Sequence, residues 1–191
     1  VCSVLYSILS SSGIKCAQLG TLGLIKENSI EENAYTTPES IELNKYFYYL
    51  NKNKYTHVIM EVSSHAIDQK RVSNINFNIA LFTNLTPEHL DYHKTLNNYF
   101  NAKLSLFKTL SKKSKAVINI SDQYGKKIKK KLDILTRDFS LTGNNGAYFK
   151  KIENSYKGIK GIIRSDNSEY KIESKLIGDF NAENILAAVE C

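Results

Sequence analysis

Acidic, imidazole and amine side chains recur between residues 61 and 103, and their types are those that a metal and phosphate site uses. Glu61 follows an apolar run, at what would be the carboxyl end of a strand, where α/β proteins place their ligands. A carboxylate in that position can hold Mg²⁺ against the phosphates of a nucleotide. The more ordinary interpretation of an isolated glutamate is a residue at the rim of the sheet or a helix-capping charge.

His89 and Lys103 are the other two candidates for metal chemistry. His89 follows a second apolar run, and a neutral imidazole there can bind a metal, although a lone histidine is more often a partly buried polar residue. Lys103 lies beside Phe100 and Leu104, at the border of an apolar helix stripe, where a lysine commonly extends its ammonium group to water. Alternatively, desolvation lowers the pKa of the amine, which can then take up carbon dioxide as a carbamate, an anionic oxygen ligand for Mg²⁺.

Polar side chains between residues 63 and 71 form a second candidate group, suited to an anionic substrate. The guanidinium of Arg71 is planar and can bind a carboxylate through two parallel hydrogen bonds. Gln69 and Ser63 shortly precede it. The ordinary alternatives are a surface arginine and a serine that caps the next helix.

Apolar patterning predicts the elements that position these groups. The expected strands are 15–19, 57–62, 79–85 and 115–120, and the expected helices are 1–12, 37–50, 95–110, 122–132 and 181–190. Thr37-Pro38 is expected to open one helix as N-cap and first residue, and Thr86-Pro87 to open a short helix through His89. Residues 24–35 are polar and are expected to form a loop.

Continuously apolar strands separated by helices predict an α/β fold, with a mostly parallel sheet covered by helices on both faces. The pattern changes after residue 146. Short alternating segments at 147–152, 158–164 and 169–176 predict a small antiparallel β subdomain. The expected organisation is therefore an α/β core over 1–146, an appendage over 147–177 and the start of a helical segment over 178–191.

Composition limits the class of protein and its setting. The chain has 191 residues, enough for one large domain with a substantial core. Cys2, Cys16 and Cys191 have no C-x-x-C spacing and predict neither a disulfide framework nor a zinc site, so a cytoplasmic setting is expected. The longest apolar run is too short to span a membrane and the start does not read as a signal peptide, so no membrane partner is expected.

The net charge of +7 raises the question of a nucleic-acid partner. The densest basic run is K-K-I-K-K-K at 126–131, in a helical pattern with Ile128 and Leu132 facing inward. Aromatic residues do not alternate with these lysines, and no nucleic-acid-binding motif is present. The run is interpreted as a solvated helix face, and no nucleic-acid partner is expected.

Three segments together resemble the Mur ligases, most closely the MurE type, which joins an amino acid to UDP-N-acetylmuramoyl-dipeptide. They read M-E-V-S-S-H-A-I-D-Q-K-R at 60–71, F-T-N-L-T-P-E-H-L-D-Y-H at 82–93 and N-Y-F-N-A-K at 98–103. Their combination at these separations is far more specific than any one of them. The resemblance covers essentially the whole chain, as the central ATP-binding domain of that family.

The resemblance implies a role for each matching residue. Glu61 and His89 are implied as Mg²⁺ ligands and Lys103 as a carbamylated lysine, and the three together as the catalytic centre. Contacts to the muramoyl-dipeptide are implied for Thr36, Thr37, Ser63, Gln69 and Arg71. The segment G-D-F-N-A-E-N-I-L-A-A at 178–188 resembles the adenine-contacting segment. Contacts to ATP are implied for Asn84, Asn181 and Asn184.

The implied reaction is ATP-dependent amide-bond formation in peptidoglycan synthesis. The γ-phosphoryl group of ATP passes to a D-glutamyl carboxylate, and the amino group of meso-diaminopimelate or L-lysine then attacks the acyl phosphate. ATP is the co-substrate and Mg²⁺ the cofactor. The implied partners are the UDP-linked dipeptide, the free amino acid, and the N- and C-terminal domains of the family. The choice between the two amino acids stays open, because it belongs to the C-terminal domain.

Three features depart from the family pattern. The phosphate-binding G-T-N-G-K-T-[TS] with its strand, which in the family precedes the helix that starts here at Val1, is absent, and so are the flanking domains. Glu88 stands where the family usually has aspartate. The chain is therefore expected to be a fragment that is inactive by itself. The alternatives are another ligase of the superfamily, such as a folylpolyglutamate synthetase, and a non-catalytic nucleotide-binding module.

Overall fold

The computed structural model describes residues 1–27, 29–141, 143 and 145–191. The helices within these ranges are α1 (Cys2–Ser11), α2 (Ser40–Lys52), α3 (Ser64–Asp68), α4 (Leu90–His93), α5 (Leu96–Lys108), α6 (Gln123–Lys129) and α7 (Asp179–Glu190). The strands are β1 (Cys16–Gly20), β2 (Gly23–Lys26), β3 (Ser29–Glu31), β4 (His57–Met60), β5 (Ile79–Phe82), β6 (Lys115–Asn119), β7 (Leu135–Phe139), β8 (Tyr148–Ser155), β9 (Gly158–Ser165) and β10 (Ser168–Ser174). None of the described helices has the length and apolar character that crossing a bilayer requires.

The described strands pair into three hydrogen-bonded sheets. The first has the order β3-β2-β1-β4, in which β1 and β4 are parallel and β2 and β3 form an antiparallel hairpin. The second, β5-β6-β7, is parallel throughout, and the third, β10-β9-β8, is antiparallel throughout. The predicted α/β fold, with mostly parallel strands, helices and a small antiparallel sheet, is confirmed.

The central strand β6 is buried on both faces. Ala116 and Ile118 pack on one side with Phe100 of α5 and Ile128 of α6. Val117 points the other way and belongs to the cluster formed with α7 and the antiparallel sheet. Successive side chains of a strand point to opposite faces, so a strand covered by helices on both sides must be apolar throughout.

The prediction of a loop over residues 24–35 is wrong, although Asn28 lies outside the described residues. The hairpin of β2 and β3 extends the first sheet through this segment. Gly23 starts it with φ +96, and a Cβ there would lie 2.3 Å from the carbonyl oxygen of Glu31. The strands are four and three residues long and β3 is exposed, so they carry little apolar pattern.

The predicted helix start at Thr37-Pro38 is also wrong. The helix α2 begins at Ser40, and Glu39 is the residue that precedes it. The Thr37 hydroxyl donates instead to the carbonyl oxygen of Glu61, at 2.9 Å. The Thr37 hydroxyl therefore binds a residue distant in the sequence and does not cap α2.

The predicted short helix through His89 is wrong as well. The helix α4 starts one residue later, and His89 precedes it in the left-handed conformation, with φ 56. The Thr86 hydroxyl donates to the Glu88 carboxylate at 2.8 Å, so it does not cap α4. His89 therefore stands at a sharp bend, between the end of β5 and α4.

The apolar pattern does not predict β7, and it overestimates the helix before that strand. The helix predicted over 122–132 ends at Lys129, and Asp122 caps its first turn by accepting from the N–H groups of Tyr124 and Gly125. The strand β7 reads L-T-R-D-F. Apolar patterning does not predict this strand, because it contains the charged residue Arg137. Arg137 is accommodated by pairing with Glu190 of α7.

Polar contacts from the antiparallel sheet and from β7 hold the two ends of α7. At the carboxyl end, the buried Glu190 accepts from the hydroxyl of Ser165 at 2.7 Å and pairs with Arg137 Nε. At the amino end, the Asn154 side chain accepts from the N–H of Gly178 at 3.1 Å. The antiparallel sheet therefore fixes α7 against the parallel strands.

We expect Glu190→Ala to lower the free energy of unfolding by about 2–3 kcal/mol, because it leaves Arg137 and Ser165 without their common acceptor. Urea denaturation measures the loss. Glu173→Ala is the matched control, since it removes an exposed carboxylate paired with the exposed Lys160 and should leave the transition midpoint unchanged. Equal midpoint shifts for both variants would contradict the role given to Glu190.

Candidate functional site

The side chain of Thr37 is the buried centre of the candidate site. It is 1% exposed, and its Oγ1 donates to the carbonyl oxygen of Glu61 and accepts from the N–H of Ser63, both at 2.9 Å. These two partners flank the turn from β4 into α3. Ser63 also caps α3 by accepting from the N–H of Ala66 at 3.2 Å, as its capping interpretation predicts. One hydroxyl therefore fixes the backbone where the strand ends.

The guanidinium of Arg71 is bound to the same segment. Its Nη1 donates to the Thr37 carbonyl oxygen at 2.9 Å, and its Nη2 donates to Gln69 Oε1 and pairs with Glu39 at 3.0 Å. The ring of Tyr35 lies 4.8 Å from the guanidinium carbon. The Arg71 side chain is only 11% exposed, so it is not an ordinary surface arginine, whereas the Glu39 side chain is 57% exposed. Glu39 is therefore the partner that an incoming carboxylate can replace.

The carboxylate of Glu61 is fixed at the carboxyl ends of β1 and β4. Its Oε2 accepts from the N–H of Thr21 at 3.0 Å and from the Thr21 hydroxyl at 2.9 Å. The hydroxyl of Thr36 lies 3.1 Å from that of Thr21. Gly20 makes this position possible, because a Cβ on it would lie 2.6 Å from the Glu61 carboxyl carbon.

Aromatic rings connect the substrate-binding candidates with His89. Gln69 Nε2 donates to the hydroxyl of Tyr92 at 3.5 Å, and the ring of Tyr92 lies 4.2 Å from that of His65, between centroids. His65 packs edge-on against His89 at 5.0 Å, and His89 packs edge-on against Tyr99 at 5.9 Å. The contacts therefore continue from Gln69 to α5.

Lys103 lies at the far end of this band of contacts. Its Nζ donates to the Asn84 carbonyl oxygen at 3.3 Å and lies 5.1 Å from the centre of the Tyr99 ring. Burial lowers the pKa of the Lys103 amine, and the negative charges of Glu88 and Asp122 offset part of that effect. The side chain is thus a partly desolvated amine rather than one extended into water.

The structure brings two of the three predicted metal ligands together at one ring and gives the third a separate partner. In the part of the chain that the structure describes, no three His, Cys, Asp or Glu side chains are grouped so as to hold a metal ion. His89 and Lys103 both contact Tyr99, whereas Glu61 is held by Thr21. The desolvated amine and the fixed carboxylate still fit Mg²⁺, which usually keeps positions for water and phosphate oxygens. The three ligand assignments stay predictions.

A cavity of 180 Å³ opens where β5 and β6 end, beside α7. It is lined by Thr83, Asn84, Asn119, Phe139, Phe180, Glu183 and Asn184. Two of the asparagines predicted to contact ATP therefore line one cavity. The third, Asn181, donates from Nδ2 to the Ile177 carbonyl oxygen at 2.8 Å and accepts from Asn184 at 3.4 Å. Asn181 stabilises the start of α7, and its contact to ATP stays a prediction.

Several residues of these two regions are not singled out by the sequence pattern. Thr21 lies in a Gly-Thr-Leu-Gly segment after a strand, and that position is the only sign in the sequence of a functional role. Tyr92 and His65 lie inside the motif segments, yet neither carries an implied role. Glu183 lies within the segment 178–188 but carries no implied role, and only its place in the cavity lining singles it out.

We expect Thr37→Val to lower the free energy of unfolding by about 2 kcal/mol, because the partly buried N–H of Ser63 and carbonyl of Glu61 lose their partner. Thr37→Ser keeps the hydroxyl and should retain most of the stability. Urea denaturation of both variants measures the difference. A valine variant as stable as the serine variant would show that the hydroxyl does not fix this turn.

Comparison with known proteins identifies the family. The Mur ligase middle domain family matches residues 1–191. A UDP-N-acetylmuramoyl-L-alanyl-D-glutamate–2,6-diaminopimelate ligase of Fusobacterium nucleatum is 39% identical over 178 residues, which cover 92% of this chain and 36% of the relative. The ligase of the same name from Clostridium botulinum is 37% identical over 183 residues, covering 96% and 37%. The chain spans a little over a third of the length of these relatives.

Solved structures agree with the sequence relatives. A structure of a ligase with the same name matches with a TM-score of 0.87 at 30% identity, over 98% of this chain and 39% of that chain. The apo form of L. casei FPGS matches with a TM-score of 0.75 at 10% identity, over 98% of this chain and 53% of that chain, which shows a shared fold alone. Because the family match extends from the first residue to the last, this chain belongs to the Mur ligase family, as a middle domain.

Proposed function

We propose that this chain is the ATP- and substrate-binding part of a ligase that adds 2,6-diaminopimelate to UDP-N-acetylmuramoyl-L-alanyl-D-glutamate. The names of its relatives support this reaction. The observation that carries the proposal is a continuous series of contacts that begins at the main-chain carbonyl of Glu61 and reaches Arg71 through Thr37. Gln69 and the aromatic rings beside it continue the series to His89 and Lys103. Residues with different implied tasks thus belong to one network of contacts, which supports a transfer between two bound substrates.

The complete activity is proposed for a longer protein, since the chain spans only a little over a third of its relatives. Its proposed partners are the UDP-linked dipeptide, ATP, the free amino acid, and further domains of the same protein. The relatives' names favour diaminopimelate over lysine as the added amino acid. The amino-acid site itself is proposed to lie in another domain.

Arg71 is proposed to orient the acceptor. Its guanidinium is already ordered by Thr37 and Gln69, so it can exchange the exposed Glu39 carboxylate for a carboxylate of the substrate with little reorganisation. The acceptor oxygen then forms a bond to the γ-phosphorus while the bond from that phosphorus to ADP breaks. The amino nitrogen attacks the acyl carbon of the product, loses a proton, and phosphate leaves with the bonding electron pair.

Lys103 is proposed to act as a carbamate. The lowered pKa leaves more of the amine neutral than in an ordinary lysine, and the neutral nitrogen forms a bond to the carbon of CO₂ and releases one proton. Glu61, His89 and this carbamate would together hold Mg²⁺. The bound ion would neutralise charge on the phosphate oxygens.

We expect ¹³C-bicarbonate to give this chain a carbamate resonance in its ¹³C NMR spectrum. Because burial lowers the pKa of the Lys103 amine, the neutral form and hence the carbamate should increase with pH from a lower pH than for an exposed lysine. Lys103→Arg should abolish the signal, and Lys108→Arg, on the exposed side of α5, should retain it. A resonance that survives Lys103→Arg would refute the carbamate.

The proposed reaction is tested with the longer protein that contains this chain. ADP release should require both the UDP-linked dipeptide and diaminopimelate. Lys103→Arg should reduce kcat by about 10²–10³-fold, because charge stabilisation of the transferring phosphoryl group is lost. ADP release that is independent of the dipeptide would contradict the ligase, and equal turnover with L-lysine would contradict the assignment of the amino acid.

A further inference from the structure

Ser64 and His93 form a buried hydrogen bond that connects the turn after β4 with α4. The Ser64 hydroxyl oxygen and His93 Nε2 lie 2.8 Å apart, and the two residues are 4% and 5% exposed. Ser64 is the first residue of α3 and closely follows Glu61, whereas His93 is the last residue of α4. Leaving either group buried and unpaired would cost free energy. The bond therefore fixes α4 to the segment that carries Glu61.

The imidazole of His93 also stacks on the ring of Tyr99 in α5. The two ring centroids lie 5.0 Å apart and the ring planes are nearly parallel, at 13°. The rings of His65 and Tyr92 contact His93 as well, but at interplanar angles of 53° and 78°. Tyr99 is itself only 5% exposed. Because protein interiors are closely packed, two buried rings that lie face to face restrict each other's orientation.

Tyr99 contacts two of the three predicted metal ligands. The ring of His89 packs edge-on against it at 5.9 Å, between centroids, and Lys103 Nζ lies 5.1 Å from its centre. Tyr99 and Lys103 are four residues apart in α5, so their side chains lie on the same face of the helix. The orientation of one ring therefore limits where the imidazole of His89 and the amine of Lys103 can lie.

We propose that His93 is a positioning residue of the candidate site and that Ser64 holds it in place. The His93 ring sets the orientation of Tyr99 and, through that ring, the positions of the two predicted ligands that contact it. The hydrogen bond to Ser64 links these ligands to the segment that carries Glu61, the third one. This inference rests on the proposed function, which gives the three side chains one metal site. Loss of a residue that orients metal ligands typically lowers metal affinity or activity by about 10- to 100-fold.

The geometry is tested in this chain, without substrate, by NMR of ¹³C-labelled tyrosine rings. Ser64→Ala removes the hydrogen bond and leaves both stacked rings in the sequence. The Tyr99 resonance, assigned with Tyr99→Phe, should shift in this variant, because the ring current of His93 at Tyr99 depends on how the two rings lie. Ser114→Ala is the matched control. Ser114 is also buried, at 5% exposure, and donates to the Phe77 carbonyl oxygen at 2.8 Å, and its loss should leave the resonance in place.

The kinetic role is tested in the longer protein that contains this chain. Ser64→Ala and His93→Phe both break the hydrogen bond, and each should lower kcat by about 10- to 100-fold. The KM values for ATP and for the dipeptide should stay unchanged, because the transition state loses stabilisation and the bound substrates do not. The double variant should be no slower than either single variant, since the two residues act through one bond. Ser114→Ala should leave kcat unchanged.

His93→Gln separates the hydrogen bond from the stacking. The glutamine amide can pair with the Ser64 hydroxyl but places no ring on Tyr99. Its kcat should therefore fall as in His93→Phe, and full activity would show that the ring contact positions nothing. Circular dichroism at the assay temperature establishes that each variant is folded.

The outcomes distinguish this inference from the proposed function. If the unmodified longer protein releases no ADP with the dipeptide and diaminopimelate, the proposed function fails, and the kinetic role of His93 fails with it. If that protein is active but Ser64→Ala retains full kcat, or leaves the Tyr99 resonance unshifted, the positioning role is refuted while the proposed function stands. A loss of kcat that Ser114→Ala reproduces would also refute it, because lost stability would then be the cause.

Discussion

The buried hydroxyl of Thr37 is the constraint on which the candidate site depends. It joins the carbonyl of Glu61, at the end of β4, to the N–H of Ser63, at the start of α3. The backbone carbonyl of the same residue accepts from Arg71. The direction in which the strand leaves the sheet, the start of the next helix and the position of the guanidinium are therefore coupled through one residue. Side chains proposed to bind a substrate need such a rigid support.

Asn84 links the two functional regions. Its carbonyl oxygen accepts from Lys103, and its side chain lines the cavity beside α7. It follows β5, so the amine proposed as carbamate and the cavity lined by two residues with an implied ATP contact both meet the end of one parallel strand. Both regions also contain a group shifted toward its neutral form, since burial lowers the pKa of Lys103 and raises that of Glu183. Partial desolvation at strand ends is thus a shared property of the two regions, and it is commonly found at functional sites.

The sequence predicts the features that rest on long apolar patterns and on dense motifs. The buried strand β6, the stripe of α5 with Phe100 and Leu104, and the change to an antiparallel sheet after residue 146 all follow from local periodicity. The hairpin of β2 and β3 and the strand β7 do not. The hairpin strands are only four and three residues long and β3 is exposed, and β7 contains a paired arginine, so these segments lack a clear apolar signature. The predicted helix starts at Thr37 and Thr86 are wrong, because the two hydroxyl groups donate to Glu61 and Glu88 and cap no helix.

The candidate site follows the same division. Residues within the motif segments, such as Arg71 and Lys103, are recognisable from the sequence alone. Thr21, the partner of Glu61, and Glu39, the partner of Arg71, are found only from tertiary contacts.

The proposed function requires that Glu61, His89 and Lys103 together bind divalent cations at one site. Anomalous diffraction from crystals of this chain grown with Mn²⁺, ATP and bicarbonate tests it most directly. The claim predicts a manganese peak within bonding distance of the three side chains, and an ordered peak elsewhere, with none between them, would contradict it.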